Sequence, residues 1–303
     1  MVVKRLLRTI FEWKAMGWLR FGIFLVLARR ERGRLRSTAA LFGFQTLDHE
    51  NMGDLRSSKP YATTAFILGT GASVNEVSDE KLRIIQAEFS IGVNQWIFHP
   101  LVPDVYSYEV DPDPRLLAAL DRVEVREKLP KILFLAPSKV EDFLNAENLP
   151  EFLRNVTYFY RRVNLLTRVP SNIGKDLRRI LNLATRFGSR GVLVDNGASI
   201  ARLIALMIEL GFRRIVLVGV DLHNVEYFWF RHPELLKRFG IDSFDTLQTG
   251  SRHETLSART RPFRVDTYVE QFEAEFRDEV EILIESPESL LAQKIRVWRP
   301  GAD

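Results

Sequence analysis

What most constrains this chain is a series of short apolar runs separated by turns or by segments with helical periodicity. They fall at Thr64 to Leu68, Phe89 to Val93, Val105 to Val110, Lys131 to Leu135 and Val156 to Tyr160, then at Gly191 to Val194, Arg214 to Val220 and Glu279 to Ile284. Runs this short, alternating with helical stretches, predict an α/β, Rossmann-like domain with a mainly parallel sheet and helices on both faces. Two of the helices are legible on their own. Ala198 to Leu210 is apolar nearly all round and stops at Gly211, so it reads as a buried helix with a glycine at its C-terminus. Arg264 to Phe276 places Val265, Tyr268, Val269, Phe272 and Phe276 on one helical face. The sequence contains no internal repeat and no low-complexity tract.

Charge divides the chain. Residues 1 to 36 carry ten Lys and Arg against Glu12 and Glu31, a local +8, which leaves −4 for the rest of a chain whose total is +4. An acidic body with a basic arm is not the pattern of a nucleic-acid binder, whose positive charge lies on the folded surface. The apolar stretch Met16 to Ala28 is too short to cross a bilayer and is interrupted by Arg20. Five arginines follow it, where a secretory signal would have a small-residue cleavage site.

Residues 1–47 therefore read as a basic amphipathic arm, with Leu6, Leu7, Ile10, Phe11, Trp13, Trp18, Phe21 and Phe24 as apolar wedges. Each Lys or Arg near an anionic head-group layer contributes about 1 kcal/mol. That predicts a peripheral protein on the inner face of the plasma membrane; packing of the arm on the body, or pairing between subunits, is the alternative. Residues 48–60 read as a linker and 61–303 as the catalytic domain, with a lid segment at about 224–262. The absence of cysteine excludes disulfides, thiolate metal sites and a cysteine nucleophile, and it suits a reducing cytoplasm.

Four motifs carry candidate chemistry. Phe66-Ile67-Leu68 runs into Gly69-Thr70-Gly71-Ala72-Ser73, a strand followed by a Gly-rich turn, where backbone N–H groups and a helix start near Ser73 can meet a phosphate. Val74 stands where a dinucleotide fingerprint would have its third glycine, which disfavours a dehydrogenase; a plain tight turn is the competing reading. Asn94 and Gln95 follow a strand, and their carboxamides can read a base edge or ribose hydroxyls without adding charge, or simply stabilise a turn. Asp195-Asn196-Gly197 opens the buried helix, as a ligand contact or an ordinary cap. Gly219-Val220-Asp221-Leu222-His223 ends another strand in a carboxylate and an imidazole. In an open parallel sheet ligands bind beyond the carboxyl ends of strands, where these turns are expected to converge.

The order and spacing of these blocks, with Glu285-Ser286-Pro287-Glu288-Ser289-Leu290-Leu291-Ala292 near the end, resemble the bacterial sialyltransferases that decorate lipooligosaccharide. The resemblance spans roughly residues 64 to 295. That family's Gly-Asn-Gly-Pro-Ser turn matches at Gly69, Gly71 and Ser73 and departs at Thr70 and Ala72. Its donor-contacting Asn-Gln pair matches Asn94 and Gln95, its Ser-Gly corresponds to Asn196 and Gly197, and its Gly-Ile-Asp corresponds to Gly219, Val220 and Asp221.

By that resemblance the fold is a GT-A-like variant. The nucleotide site is Gly69, Thr70, Gly71, Ser73, Asn94, Gln95, Asn196, Gly197 and Asp221, and no metal or other cofactor is needed. Two residues beyond the aspartate the family has a tyrosine that assists the departing phosphate, and here stands His223, with Tyr227 close by. The family's catalytic histidine precedes the helix at Arg264 to Phe276; the nearest candidate is His253, although direct register falls on Arg261 and a solvated loop histidine is the competing reading. Glu109 stands near a donor-contacting asparagine of the family, so the donor sugar can differ from sialic acid.

The implied activity is an inverting glycosyltransferase that moves a keto-sugar acid, sialic acid or Kdo, from a CMP donor to a glycan or lipid-linked saccharide, as in lipopolysaccharide or capsule biosynthesis. A homo-oligomer is left open. A second resemblance is to the 6-hydroxymethylpterin diphosphokinases and motility accessory factors, through Pro103-Asp104, Asp111-Pro112 and Gly219 to Leu222. Under it Asp111 and Asp113 hold magnesium for pyrophosphoryl transfer. A non-catalytic nucleotide-binding protein is the third reading.

Overall fold

The computed structural model describes residues 33, 35–48, 50–109, 119–135, 151–163, 165, 167, 169–186, 192–194, 198–223, 226–240, 256 and 263–301. Ten strands form one sheet: β1 (Gln45–Thr46), β2 (Thr64–Leu68), β3 (Phe89–Val93), β4 (Val105–Glu109), β5 (Lys131–Leu135), β6 (Thr157–Val163), β7 (Val192–Val194), β8 (Arg214–Val218), β9 (Glu281–Ile284) and β10 (Arg296–Val297). Their order is β1-β6-β5-β4-β3-β2-β8-β9-β10, with β7 also on β6, and every pair is parallel. β2 is the pivot. From it the chain adds β3, β4, β5 and β6 in one direction and then returns to place β8 on its other side.

The pivot strands are buried on both faces, as parallel strands between helical layers must be. In β2, Ala65 and Ile67 join one core while Phe66 and Leu68 join the other, and in β8 Ile215 and Leu217 alternate with Val216 and Val218 in the same way. The first core holds α4 (Ile173–Arg186), α5 (Ser199–Glu209) and α7 (Val265–Phe276) against the sheet. The second holds α1 (Asp79–Ala87), α2 (Val123–Lys128), α3 (Glu151–Val156) and α6 (Pro233–Lys237). The two helices singled out from periodicity form within one residue of their expected bounds, and Gly211 has φ +80°, the left-handed geometry that ends α5.

The body begins earlier than the sequence reading places it. Residues 35 to 41 are helical, and Leu35, Ala39, Phe42 and Phe44 are buried on the sheet, with the Phe44 ring edge-on to Phe159 at 5.1 Å. Gln45 and Thr46 add β1 to the edge of β6. The stretch expected to be a linker is a 3₁₀ turn over Met52–Arg56 that buries Met52 and Leu55. Its Asn, Gly and Ser residues suggested a linker, but two apolar residues three apart are enough to seat one 3₁₀ turn. The arm proper, residues 1 to 32, lies outside the described residues. Among those described, no helix is long and apolar enough to cross a membrane.

Candidate active site

The strand order β3-β2-β8 makes the ends of these three strands neighbours at a topological switch point, where open α/β sheets bind ligands. The register aligns them: Leu68 pairs with Gly92 on one side and with Val218 on the other. Gly69-Thr70-Gly71, Asn94-Gln95 and Gly219 to His223 therefore leave the sheet at one level, in adjacent positions. Two of the residues that turn the chain there are non-glycines in the left-handed region, Asn94 at φ 47° and Leu222 at φ 63°. Asparagine tolerates this conformation, whereas leucine holds it only where the surroundings impose it, at a cost of about 1–3 kcal/mol.

Asp221 organises this corner. It is buried, and its carboxylate accepts the Ser73 N–H at 3.0 Å and the Ser73 hydroxyl. The turn must come close for this to happen. A Cβ on Gly71 would lie 2.5 Å from Asp221 Oδ2, and one on Gly219, at φ +65°, would lie 2.5 Å from Val74 Cγ2. No alanine fits either position without moving backbone or the carboxylate.

The same contacts correct how the turn was expected to work. The Gly69 N–H donates to Val218 O, Gly71 to Gly219 O, Ala72 to Glu226 O, Ser73 to Asp221, and Val74 to Gly71 O. The anion-binding donors anticipated at Gly69, Gly71 and Ser73 are thus spent inside the protein. The short turn beyond, Ala72–Glu76, is 3₁₀ and not an α-helix. Thr70 is different: among the described residues its N–H and hydroxyl have no protein partner.

The chain following β8 folds back over this turn. Gly71 and Tyr227 form an antiparallel bridge, with Phe228 N–H on Thr70 O at 3.0 Å. The Tyr227 ring stacks flat on Trp229, centroids 4.5 Å apart, and Phe228 and Trp229 are buried. The first part of the expected lid, residues 226–240, is accordingly docked on the body. Its remainder lies outside the described residues except for Leu256, which is buried in the first core.

On the other side of β2, Asn94 and Gln95 open a 3₁₀ turn over Asn94–Phe98 and are half-buried. Trp96 Nε1 donates to Leu101 O at 3.0 Å, and its ring stacks on His99 at 4.2 Å. Burial, with Arg122 and His232 nearby, pushes His99 down to about 4. The ring is therefore neutral near pH 7, and its Nδ1 accepts the Leu101 N–H at 3.1 Å.

Asn196, Gly197, His253, Asp111 and Asp113 lie outside the described residues. β7, whose end leads to Asn196, pairs with β6, four strands from β2. Among the described residues no group of three or more His, Asp and Glu could hold a metal ion. Asp104, half of the Pro-Asp and Asp-Pro pattern, is at the opposite end of the sheet. Its carboxylate sits just before β4, held by Ser90 N–H at 2.9 Å and by Lys59 at 3.1 Å.

Ser289 belongs to a block that carries the resemblance but was not among the expected site residues, and the buried charge of Arg202 was not singled out at all. Ser289 is buried and donates its hydroxyl to Val220 O at 2.6 Å, while Leu290 N–H donates to Asp221 O at 3.2 Å, so the Ser-Leu-Leu-Ala block braces the strand-end loop. Away from this corner, Arg202 is 1% exposed in the first turn of α5, with Nη2 on Ser199 Oγ at 3.0 Å and its guanidinium 5.5 Å from the Tyr160 ring centroid. A charge inside an otherwise apolar helix was the available signal.

No protein-family model and no curated protein matches this chain. Among solved structures it is similar to the sialyltransferase CstII of Campylobacter jejuni in complex with cytidine 5′-monophosphate, at 16% identity and TM-score 0.41, over 78% of this chain and 84% of that one. It is also similar to the monofunctional α-2,3-sialyltransferase Cst-I of Campylobacter jejuni, at 14% identity and TM-score 0.41, over 78% and 80%. Overlaps this loose decide nothing about chemistry, which rests on the residues described above.

Proposed function

We propose that the chain is a glycosyltransferase of the sialyltransferase type, which moves a keto-sugar acid, sialic acid or Kdo, from a CMP donor to a glycan or lipid-linked acceptor with inversion. The observation that carries this reading is the switch-point corner, where a turn whose one open backbone donor among the described residues is at Thr70 adjoins Asn94-Gln95 and Asp221-Leu222-His223. A di- or triphosphate needs several converging N–H groups, as in a phosphate-cradling loop. A turn whose other donors are internally bonded suits a single phosphate, flanked by carboxamides for base and ribose. This also weighs against the diphosphokinase reading, as does the placement of Asp104 away from the site.

In the proposed mechanism the anomeric carbon gains oxocarbenium character as the bond to the CMP phosphate breaks. His223 and Tyr227 stabilise the leaving phosphate, and His253 takes the proton of the acceptor hydroxyl. Neither metal nor cofactor enters this scheme. The basic arm holds the enzyme peripherally on the inner membrane face, beside a lipid-linked acceptor.

Thermal shift against CMP, CDP, UDP, GDP and ATP tests the donor: cytidine nucleotides should raise Tm most, and stabilisation by ATP alone would overturn the reading. CMP release by His253→Ala and His223→Ala should fall by about a hundredfold or more, and full release by both would remove the histidines from the mechanism. A chelator should leave the rate unchanged. Deletion of residues 1 to 32 should move the protein out of the membrane fraction.

A further inference from the structure

His223 Nδ1 lies 3.1 Å from the main-chain oxygen of Asp221. A carbonyl oxygen only accepts, so Nδ1 carries a proton in the neutral ring as well as in the imidazolium, and proton exchange runs through Nε2. The geometry is local but not self-supporting. It requires the left-handed Leu222 between the two residues, at φ 63° and buried in the core, and it requires the Asp221 carbonyl to stay where it is.

That carbonyl is held from a segment distant in sequence. Leu290 N–H donates to the same oxygen at 3.2 Å, and Ser289 donates its hydroxyl to the preceding carbonyl, Val220 O, at 2.6 Å. Ser289 also caps the 3₁₀ turn Leu290–Gln293 by accepting the Leu291 N–H at 3.2 Å. Two successive carbonyls of the loop after β8 are thus fixed by two successive residues of the Ser289-Leu290 corner.

We infer that Ser289 is a positioning residue: its hydroxyl fixes the Val220 carbonyl and seats Leu290 so that its N–H holds the Asp221 carbonyl, which locks His223 as the Nδ1–H tautomer with Nε2 as its working nitrogen. The catalytic weight of this lock rests on the transferase reading; the tautomer itself does not. A fixed ring presents one nitrogen at one place, whereas a free histidine favours the other tautomer and samples several rotamers.

The test uses the full chain labelled with ¹⁵N-histidine and long-range ¹H–¹⁵N correlation spectra, with His223 assigned by its loss in His223→Gln. The expected wild-type result is a protonated Nδ1 and an unprotonated Nε2 in the neutral ring. Ser289→Ala should shift the ring toward Nε2–H and lower kcat for CMP release about tenfold, with KM for the donor nearly unchanged. Ser289→Thr, which restores the hydroxyl, should bring back both. An Nε2–H ring in the wild type, or an unchanged tautomer in a folded Ser289→Ala, overturns the inference. The wild-type spectrum alone decides the tautomer if Ser289→Ala fails to fold. A locked Nδ1–H ring in a chain that releases no CMP from any CMP-sugar would sink the transferase reading and leave the lock standing.

Discussion

Asp104 and Asp221 are both buried aspartates at the ends of central strands, 4% and 3% exposed, yet they are compensated in opposite ways. Asp104, at the amino end of β4, faces Lys59 at 3.1 Å and Lys128 at 3.7 Å and accepts hydrogen bonds from Ser90 and Ser58. Burial pulls Lys128 below its ordinary value, against the opposing pull of Asp104. Asp221, at the carboxyl end of β8, is held by the neutral donors of Ser73, and among the described residues no Lys, Arg or His forms an ion pair with it. A carboxylate neutralised on the spot holds the structure. Asp221, met by neutral donors, stands instead at the end of the sheet where open α/β folds bind ligands.

His99 shows a third solution: a buried ionisable group that gives up its charge. Its folded-state value of about 4 lies below the ordinary 6.5. Between those two the unfolded chain binds more protons, so stability rises with pH across the window and falls as pH drops from 6.5 toward 4.

Three measurements separate these buried groups. The largest change expected is for Asp104→Ala, which strands two lysines and the buried Ser90 N–H. It should cost about 3–5 kcal/mol in denaturant unfolding while leaving CMP release per folded molecule intact. If it instead abolished release without loss of stability, the division between the two aspartates would be wrong. Next comes the acid arm of the stability curve: His99 should contribute about 3 kcal/mol of the loss between pH 6.5 and 4. In His99→Phe, which keeps a ring on Trp96, that part of the slope should vanish, and an unchanged slope would assign it to other groups. The smallest stability change is expected for Asp221→Asn, about 1–2 kcal/mol, because the amide oxygen still accepts from Ser73. Its turnover should fall by about a hundredfold, because the amide nitrogen cannot accept the second of the two Ser73 bonds and the turn carrying Thr70 shifts. A variant with normal turnover would make Asp221 as purely structural as Asp104.

The fold was largely legible. The apolar runs at Thr64 to Leu68 and Phe89 to Val93 are strands at those bounds, because a strand covered on both faces has no polar alternate positions to blur it. The run at Arg214 ends two residues early, at Val218, because Gly219 turns left-handed. The edge strands β1 and β10, two residues each, left no period to detect.

Of the site, the residue types that follow each strand are legible along the chain: Gly69, Thr70 and Gly71 after β2, Asn94 and Gln95 after β3, Asp221 and His223 after β8. Residue type and backbone period are local properties, so they can be read along the chain. Strand order and register alone bring Ser73 to Asp221, occupy the donors of the turn other than Thr70, and set Ser289 on the loop carrying His223. Those depend on which strands become neighbours and at what register, and pairings between residues 148 and 69 positions apart leave no trace in either segment alone.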